Sequence, residues 1–259
     1  MGLLDDKAII VTGSTAGIGE AIARRCVAEG ARVLVHGRNR QRGQEVAKSL
    51  GAAAVLHTDD ISDPDAPARL VEAALLAFGR LDGIVNNAAW VVRNEIHNTD
   101  AAFFDKVMAT NVRGPLLLIK AALEHLQKAG GSVVNVGSIN AYTGEARQLV
   151  YSISKGALMT LSRNLANALA GKAVRINHFN VGWVITPNEY KLKITEGLPE
   201  GWPDDPPFDA VPTGCMTQPE QIAAQAVFWL SDQSHPVSGS VIDLEQFPVI
   251  GRIPLKEGD

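Results

Sequence analysis

Short apolar segments rich in β-branched residues alternate along the chain with longer segments whose apolar residues recur at helical spacing. Several short segments contain almost no polar residue, which is the pattern of strands buried on both faces of a parallel sheet. The alternation predicts an α/β fold with a doubly wound, seven-stranded parallel sheet and helices on both faces. The predicted strands cover residues 8–12, 32–36, 53–56, 83–86, 132–136, 175–179 and 241–244.

The first helix is predicted over residues 18–29, directly after the first strand. Ile18, Ile22 and Cys26 would lie along one stripe of this helix, so that one face packs against the sheet. Gly30 can end the helix in a C-cap position.

The region between residues 187 and 218 does not follow the alternation of strands and helices, because its prolines interrupt any long helix or central strand. These prolines are Pro199, Pro203, Pro206, Pro207 and Pro212. The region is too short for a second domain. We therefore expect a single domain over residues 1–259, with a substrate-loop insertion at about 187–218.

Composition narrows the function classes. The chain is 46% hydrophobic and 20% charged with a net charge of −4, as in a globular protein with a large core. Acids and bases are interspersed, so neither nucleic acid nor a membrane is an expected partner. Cys26 and Cys215 are too few for a disulfide framework, which favours the cytoplasm. The histidines lack ligand spacing, and no metal site is expected.

A glycine-rich turn, TGSTAGIG at residues 12–19, follows the first predicted strand and opens into the first helix. Glycines let the backbone approach a pyrophosphate, and a helix N-terminus offers free N–H groups to an anion. A turn without a ligand is the alternative reading of such a motif. Its position after the first strand favours a nucleotide.

Further motifs follow this turn in order: Asn86-Asn87-Ala88-Ala89, then Ser138, then Tyr151-Ser152-Ile153-Ser154-Lys155. The turn, these motifs and the thirteen-residue step from Ser138 to Tyr151 together resemble the short-chain dehydrogenase/reductase family, over nearly the whole chain. The resemblance implies a single-domain Rossmann fold. It also implies an NAD(P)-dependent short-chain alcohol dehydrogenase or carbonyl reductase that is tyrosine-dependent.

Four catalytic positions follow from the resemblance. Tyr151 would exchange a proton with the substrate oxygen, Ser138 would polarise that oxygen, and Lys155 lies four residues after Tyr151 on the same helical face. Lowering the pKa of a phenol from about 10 to about 7 takes roughly 4 kcal/mol, part of which an adjacent ammonium can supply. Asn111 would anchor a water that leads to Lys155.

The resemblance implies that the cofactor contacts the glycine-rich turn, the catalytic residues and the segments between and after them. The residues expected to bind it are Gly13, Ser14, Thr15, Gly17, Ile18, Gly19, Arg38, Asp60, Ile61, Asn87, Ala88, Tyr151, Lys155, Gly182, Val184 and Thr186.

The end of the second strand decides between the two nicotinamide cofactors. Members that use NAD usually carry an acid where this chain has Gly37, and that acid would repel a 2′-phosphate. Arg38 follows, and a guanidinium can grip a phosphate. The alternative is that Arg38 is a solvated surface charge, as Arg40 and Arg42 are expected to be. We predict a preference for NADP(H), with NAD(H) possible.

Three positions depart from the family pattern. Ala89 replaces a glycine, Val181 stands where a proline is common before Gly182, and Glu245-Gln246-Phe247 replaces Asp-Gly-Gly. The second departure affects the rigidity of the loop around the nicotinamide. Packing in the family implies a homo-oligomer, either a dimer or a homotetramer.

Polar side chains in the segments expected to frame the pocket, among them Asn140, Arg147 and Glu189, favour a small polyol, sugar or hydroxy acid as substrate. Two rivals share the fold: a catalytically silent NADP(H)-binding redox sensor and an NAD-dependent dehydrogenase. A sugar-nucleotide epimerase would need a larger substrate domain. An enoyl reductase would generally space Tyr and Lys further apart.

Overall fold

The computed structural model describes residues 2–251, so that Met1 and residues 252–259 of the predicted domain lie outside the described residues. Its strands are β1 Ala8–Val11, β2 Arg32–Gly37, β3 Ala54–Thr58, β4 Gly83–Asn86, β5 Ser132–Val136, β6 Arg175–Val181 and β7 Val241–Leu244. They form one parallel sheet in the order β3-β2-β1-β4-β5-β6-β7. The predicted α/β fold is confirmed.

The helices are α1 Gly17–Ala28, α2 Arg40–Leu50, α3 Ala66–Phe78, α4 Ala101–Met108, α5 Gly114–Ala129, α6 Leu149–Ala168, α7 Pro187–Thr195 and α8 Pro219–Leu230. Residues of α1, α2 and α8 pack on one face of the sheet, and residues of α3, α5 and α6 pack on the other. The sheet is therefore covered on both faces, as the strand pattern predicted.

Burial differs between the inner strands and the edge strands, and buried β6 carries the polar residues Arg175, Asn177, His178 and Asn180. Every residue of β1, β4, β5 and β6 is buried, whereas the edge strands β3 and β7 are only partly covered. Within residues 2–251, no helix is long and apolar enough to cross a membrane.

Strand β6 extends two residues beyond its predicted end at residue 179. Asn180 and Val181 pair with Asp243 and Leu244 of β7. A proline at position 181 has no N–H for a ladder and would favour an end of the strand there. Val181 instead continues the strand, and the N–H of Gly182 donates to the carbonyl of Leu244 at 3.0 Å.

The region predicted as an insertion, 187–218, contains one short α-helix, α7, and a 3-10 helix, Trp202–Asp204. Helix α7 begins at Pro187 because proline is tolerated in a first turn. The rest has no long helix or strand, as its prolines predict. It forms an apolar cluster of its own around Trp202, Val211 and Met216. This cluster holds the insertion together beside the sheet.

The order of the strands reverses direction between β1 and β4. Loops that leave the carboxyl ends of these two strands diverge to opposite sides and open a crevice, which is where ligands bind in sheets of this kind. The glycine-rich turn follows β1, and Asn87 follows β4. The fold thus brings the predicted motifs to one edge of the sheet.

Candidate active site

A cavity of about 640 Å³ lies at this edge and gathers most of the predicted site residues. Those that line it are Gly13, Thr15, Gly17, Ile18, Gly19, Arg38, Asp60, Ile61, Asn87, Ala88, Ser138, Tyr151, Lys155, Gly182 and Thr186. Ser14, Asn111 and Val184 are not among its lining residues.

Glycine is required in the glycine-rich turn because a side chain there would collide with neighbouring parts of the protein. Gly13 has a positive φ of 66°, and a Cβ there would come within 2.9 Å of the backbone of Ala88. A Cβ on Gly19 would overlap the Asn87 amide and the carbonyl of Gly13. Ala16, at the N-cap of α1, has no side chain to occupy the first-turn amides. These amides are therefore not capped by the side chain of residue 16, and a helix N-terminus of this kind is suited to an anion.

Hydrogen bonds of Asn87 and Ala88 join this turn to the end of β4. The Nδ2 of Asn87 donates to the carbonyl oxygens of Thr12 at 2.9 Å and Gly13 at 3.2 Å. The backbone N–H groups of Asn87 and Ala88 both donate to the Thr12 hydroxyl at 3.0 Å. The conformation of the turn therefore depends on a contact between two distant motifs.

Ser14 faces the interior and not the cavity. Its hydroxyl donates to the carbonyl of Val11 at 2.7 Å and accepts from the N–H of His36 at 2.9 Å. The side chain is fully buried. Through this group the turn is fastened to β2.

His36 is a cavity residue that the sequence did not reveal. It lines the cavity beside Gly37, and its Nδ1 accepts from the N–H of Gly13 at 3.3 Å. Burial lowers the pKa of His36 to about 4. The imidazole is therefore neutral and acts as an acceptor for the glycine-rich turn.

The end of β2 presents two arginines to the cavity. Arg38 is mostly exposed, and its guanidinium lies 3.8 Å from the carboxylate of Asp60. Arg42 is exposed, as expected, and it also lines the cavity. Its backbone N–H donates to the side chain of Asn39, the N-cap residue of α2. Arg40 does not line the cavity. A Cβ at position 37 would come within 2.8 Å of the Thr15 side chain, so glycine fits best there.

Lys155 is buried at the opposite end of the cavity. Its Nζ donates to the carbonyl of Val136 at 2.8 Å, which joins α6 to the end of β5. Burial lowers the pKa of this amine to about 8. The ammonium lies 5.5 Å from the centre of the Tyr151 ring, as the four-residue spacing on one helix predicts.

Tyr151 and Ser138 lie together at this end. Burial raises the pKa of Tyr151 to about 12, a hydrogen bond from the Ser138 side chain opposes that shift, and the charge of Glu189 adds to it. The shift is therefore opposite in direction to the lowering expected from Lys155, and burial is its largest cause.

Asn111 lies in a π-helical segment, Ala109–Arg113, between α4 and α5. Such segments often occur at functional sites. Its Oδ1 accepts from the N–H of Trp90 at 2.7 Å, and its Nδ2 donates to Ser154 Oγ at 3.0 Å. The amide side chain thus ties the chain after β4 to α6. Its role in a proton relay stays a prediction.

The side chain of Glu245, directly after β7, contacts the loop after β6. A carboxylate oxygen of Glu245 accepts from the N–H of Trp183 at 3.2 Å, and a Cβ on Gly182 would overlap that carboxylate. Val184 is buried in a bridge with Thr217. Two departures from the family pattern are therefore in contact. Glu245, from the segment that replaces Asp-Gly-Gly, restrains the loop in which Val181 stands in place of proline.

The lining residues fit a dinucleotide. A pyrophosphate would meet the glycine cradle and the free first-turn amides of α1, and an adenosine would lie toward Arg38, Arg42 and Asp60. The nicotinamide end would lie toward Tyr151 and Lys155. The cavity places these groups in the order that such a cofactor requires.

Comparison with known proteins agrees with this geometry. A family model described as "Enoyl-(Acyl carrier protein) reductase" matches residues 13–245. The L-rhamnose 1-dehydrogenase (NAD(P)(+)) of Azotobacter vinelandii is 33% identical over 92% of this chain and 94% of its own length. The meso-2,3-butanediol dehydrogenase of Serratia marcescens is 31% identical over 93% and 94%. A solved "short chain dehydrogenase/reductase family protein" matches with a TM-score of 0.81 and 32% identity, covering 93% of this chain and 96% of that chain.

The buried amine of Lys155 should make stability depend on pH. Because its pKa falls from 10.5 to about 8 on folding, the unfolded state binds more protons between these values, and stability rises with pH in that window. Relative to a Lys155→Met variant, the wild type should gain about 1–3 kcal/mol from pH 8 to 10.5. Urea unfolding at four pH values measures this, with exposed Lys172→Met as control. A difference that does not change with pH would contradict the burial of a titrating amine.

Proposed function

The chain belongs to the short-chain dehydrogenase/reductase family and is an NAD(P)-dependent oxidoreductase, and we propose that it transfers hydride between NADP(H) and the alcohol or carbonyl carbon of a small polar substrate. One observation carries the proposal. Ser138, Tyr151 and Lys155 lie at one end of the cavity whose other end holds the glycine cradle and Arg38.

Each side chain has a separate role in the proposed reaction. A nicotinamide cofactor held in this cavity would supply or accept the hydride. Ser138 donates a hydrogen bond to the substrate oxygen and polarises it, and Tyr151 gives or takes the proton at that oxygen. Lys155 holds a positive charge near the phenol while its hydrogen bond to Val136 fixes its position. Asn111 would complete a relay from Lys155 to solvent.

Preference for NADP(H) is supported by the end of β2. Gly37 offers no carboxylate to repel a 2′-phosphate, and Arg38 and Arg42 both face the cavity there. Arginine binds phosphate oxygens bidentately. Binding of NAD(H) remains compatible with the same cradle, and the Azotobacter relative is named for both cofactors.

A polyol or sugar substrate is supported by the names of the relatives, which act on L-rhamnose and meso-2,3-butanediol. It is also supported by the polar residues Asn188 and Glu189 in the cavity wall. A silent redox sensor is disfavoured because all three catalytic side chains are present and converge. An enoyl reductase is disfavoured by the single helical turn between Tyr151 and Lys155.

We also propose a single catalytic domain that assembles as a homo-oligomer, a dimer or tetramer, in the cytoplasm. Apolar side chains are exposed on three neighbouring helices: Phe104 on α4, Leu116 on α5 and Ile153 on α6. A subunit contact at these helices would cover them. Both cysteines are free, which suits a reducing compartment.

A substrate panel tests the function. Sugars, polyols, hydroxy acids, aliphatic ketones and steroids are followed at the nicotinamide absorbance with both cofactors. We expect at least one sugar or polyol to be turned over best, and with NADP(H). Turnover of steroids or aliphatic ketones with a kcat/KM about a hundredfold higher than every polar substrate would contradict the proposed substrate class. No turnover of any alcohol or carbonyl compound would support the silent sensor.

Calorimetry of cofactor binding tests the preference. Arg38→Ala and Arg42→Ala should each weaken NADP(H) binding about tenfold, because a charge-assisted hydrogen bond contributes roughly 1.5–3 kcal/mol before solvent screening reduces it. NAD(H) binding should change little. Arg40→Ala, which removes an exposed arginine that does not line the cavity, is the matched control. Equal or tighter binding of NAD(H) to the wild type would refute the preference.

A further inference from the structure

We infer that Glu189 selects the charge of the substrate: its carboxylate accepts a hydrogen bond from a hydroxyl or ammonium group and disfavours a carboxylate or phosphate at that position. The inference rests on the proposed function and narrows it. Among the substrate classes expected from the sequence, neutral sugars and polyols would be accepted and hydroxy acids rejected.

Glu189 is positioned by the start of α7. Thr186 is the N-cap residue, and its hydroxyl accepts from the N–H of Glu189 at 3.1 Å. The carboxylate therefore lies in the first turn of the helix, where the helix dipole stabilises a negative charge. Thr186 also lies against the glycine-rich turn, because a Cβ on Gly17 would be 3.4 Å from its methyl group. This fixes α7 to the cofactor end of the cavity.

The orientation of the carboxylate is set by an aromatic stack. Trp183 Nε1 donates to Glu189 Oε1 at 2.8 Å. The Trp183 ring stacks on Trp202 with centroids 5.1 Å apart and planes at 14°, and Trp202 is buried at 3% exposure. Lys193 covers Trp183 with its Nζ 5.3 Å from the ring centre. The indole is thus held as a fixed donor and is not an open platform for a ligand.

One oxygen of Glu189 remains for a ligand. Within the described part of the chain, Trp183 is its only side-chain donor, and no Lys or Arg pairs with it. Lys193 and Arg93, the nearby cations of this region, are both bound to Glu196. A half-buried carboxylate with a free oxygen in a cavity wall attracts a hydrogen-bond donor.

This carboxylate lies close to the reacting end. Glu189 and Tyr151 line the same cavity, and the negative charge of Glu189 adds to the rise in the pKa of Tyr151 after burial. Two lysines line the same cavity without pairing with Glu189: Lys155 donates to the carbonyl of Val136, and Lys106 lies over the Trp90 ring at 4.5 Å. Both keep their positive charge, but neither forms an ion pair with Glu189. An anionic group placed against the free oxygen of Glu189 would therefore be repelled by it.

Matched substrates test the inference. Within each of two sets, the members differ mainly in charge at one position. The first set is galactose and galacturonate. The second set is propane-1,2-diol, lactate and 1-aminopropan-2-ol. The wild type should prefer neutral or cationic members by about tenfold or more in kcat/KM, as expected for two like charges several ångströms apart in a partly wet site. Inhibition constants against the best substrate replace kcat/KM for any member that is not turned over.

The Glu189→Gln variant keeps an acceptor for Trp183 and removes only the charge. We expect it to reduce the charge preference about tenfold, mainly through a lower KM for the anionic member. Exposed Glu200→Gln, which removes one charge from the same segment outside the cavity, should leave the preference unchanged. Melting temperatures of both variants confirm folding.

The outcomes separate the two proposals. Equal use of anionic and neutral members by the wild type, or an unchanged ratio in Glu189→Gln, overturns the inference and leaves the proposed function intact. Loss of the preference in Lys106→Met but not in Glu189→Gln would also overturn it. If no substrate reacts, the proposed function fails, and calorimetric binding of galactose and galacturonate to the cofactor-loaded protein decides the charge preference.

Discussion

The buried ammonium of Lys155 is the constraint on which the site depends. A buried cation must be hydrogen-bonded, and Lys155 meets that need at the carbonyl of Val136, the last residue of β5. This bond fixes α6 against the end of the strand. Tyr151 lies one helical turn earlier on the same face, and Ser138 lies two residues beyond Val136. This hydrogen bond therefore joins the helix that carries Tyr151 to the strand end that leads to Ser138.

A polar layer beneath this bond supports it. His178 on β6 is held between Ser162 Oγ at 3.0 Å and Asn180 Oδ1 at 3.1 Å. Burial, followed by the charge of Lys155, lowers the pKa of His178 to about 3, so that it stays neutral beside the ammonium. Its imidazole occupies the space where a Cβ of residue 137 would be, which explains Gly137 directly before Ser138. The sheet thus positions Ser138 through packed, uncharged groups.

Much of this arrangement could be predicted from the sequence, because local patterns determine it. Apolar runs predict buried parallel strands, and the four-residue spacing places Tyr151 and Lys155 on one face. Other features depend on contacts between distant segments. His36 and Arg42 reach the cavity only through the packing of β2 and α2, and Glu245 meets Trp183 only because β7 pairs with β6. The direction of the Tyr151 pKa shift depends on burial, which spacing alone does not reveal.

The central claim is that Tyr151 carries the proton at the substrate oxygen, and single-turnover kinetics of Tyr151→Phe test it most directly. The substitution removes the hydroxyl and little volume, so cofactor binding by calorimetry should match that of the wild type. The account predicts that the rate of hydride transfer at saturating cofactor falls far below a tenth of the wild-type rate, a loss well above about 1.4 kcal/mol in transition-state stabilisation. A variant that binds cofactor normally and keeps more than a tenth of that rate would contradict it.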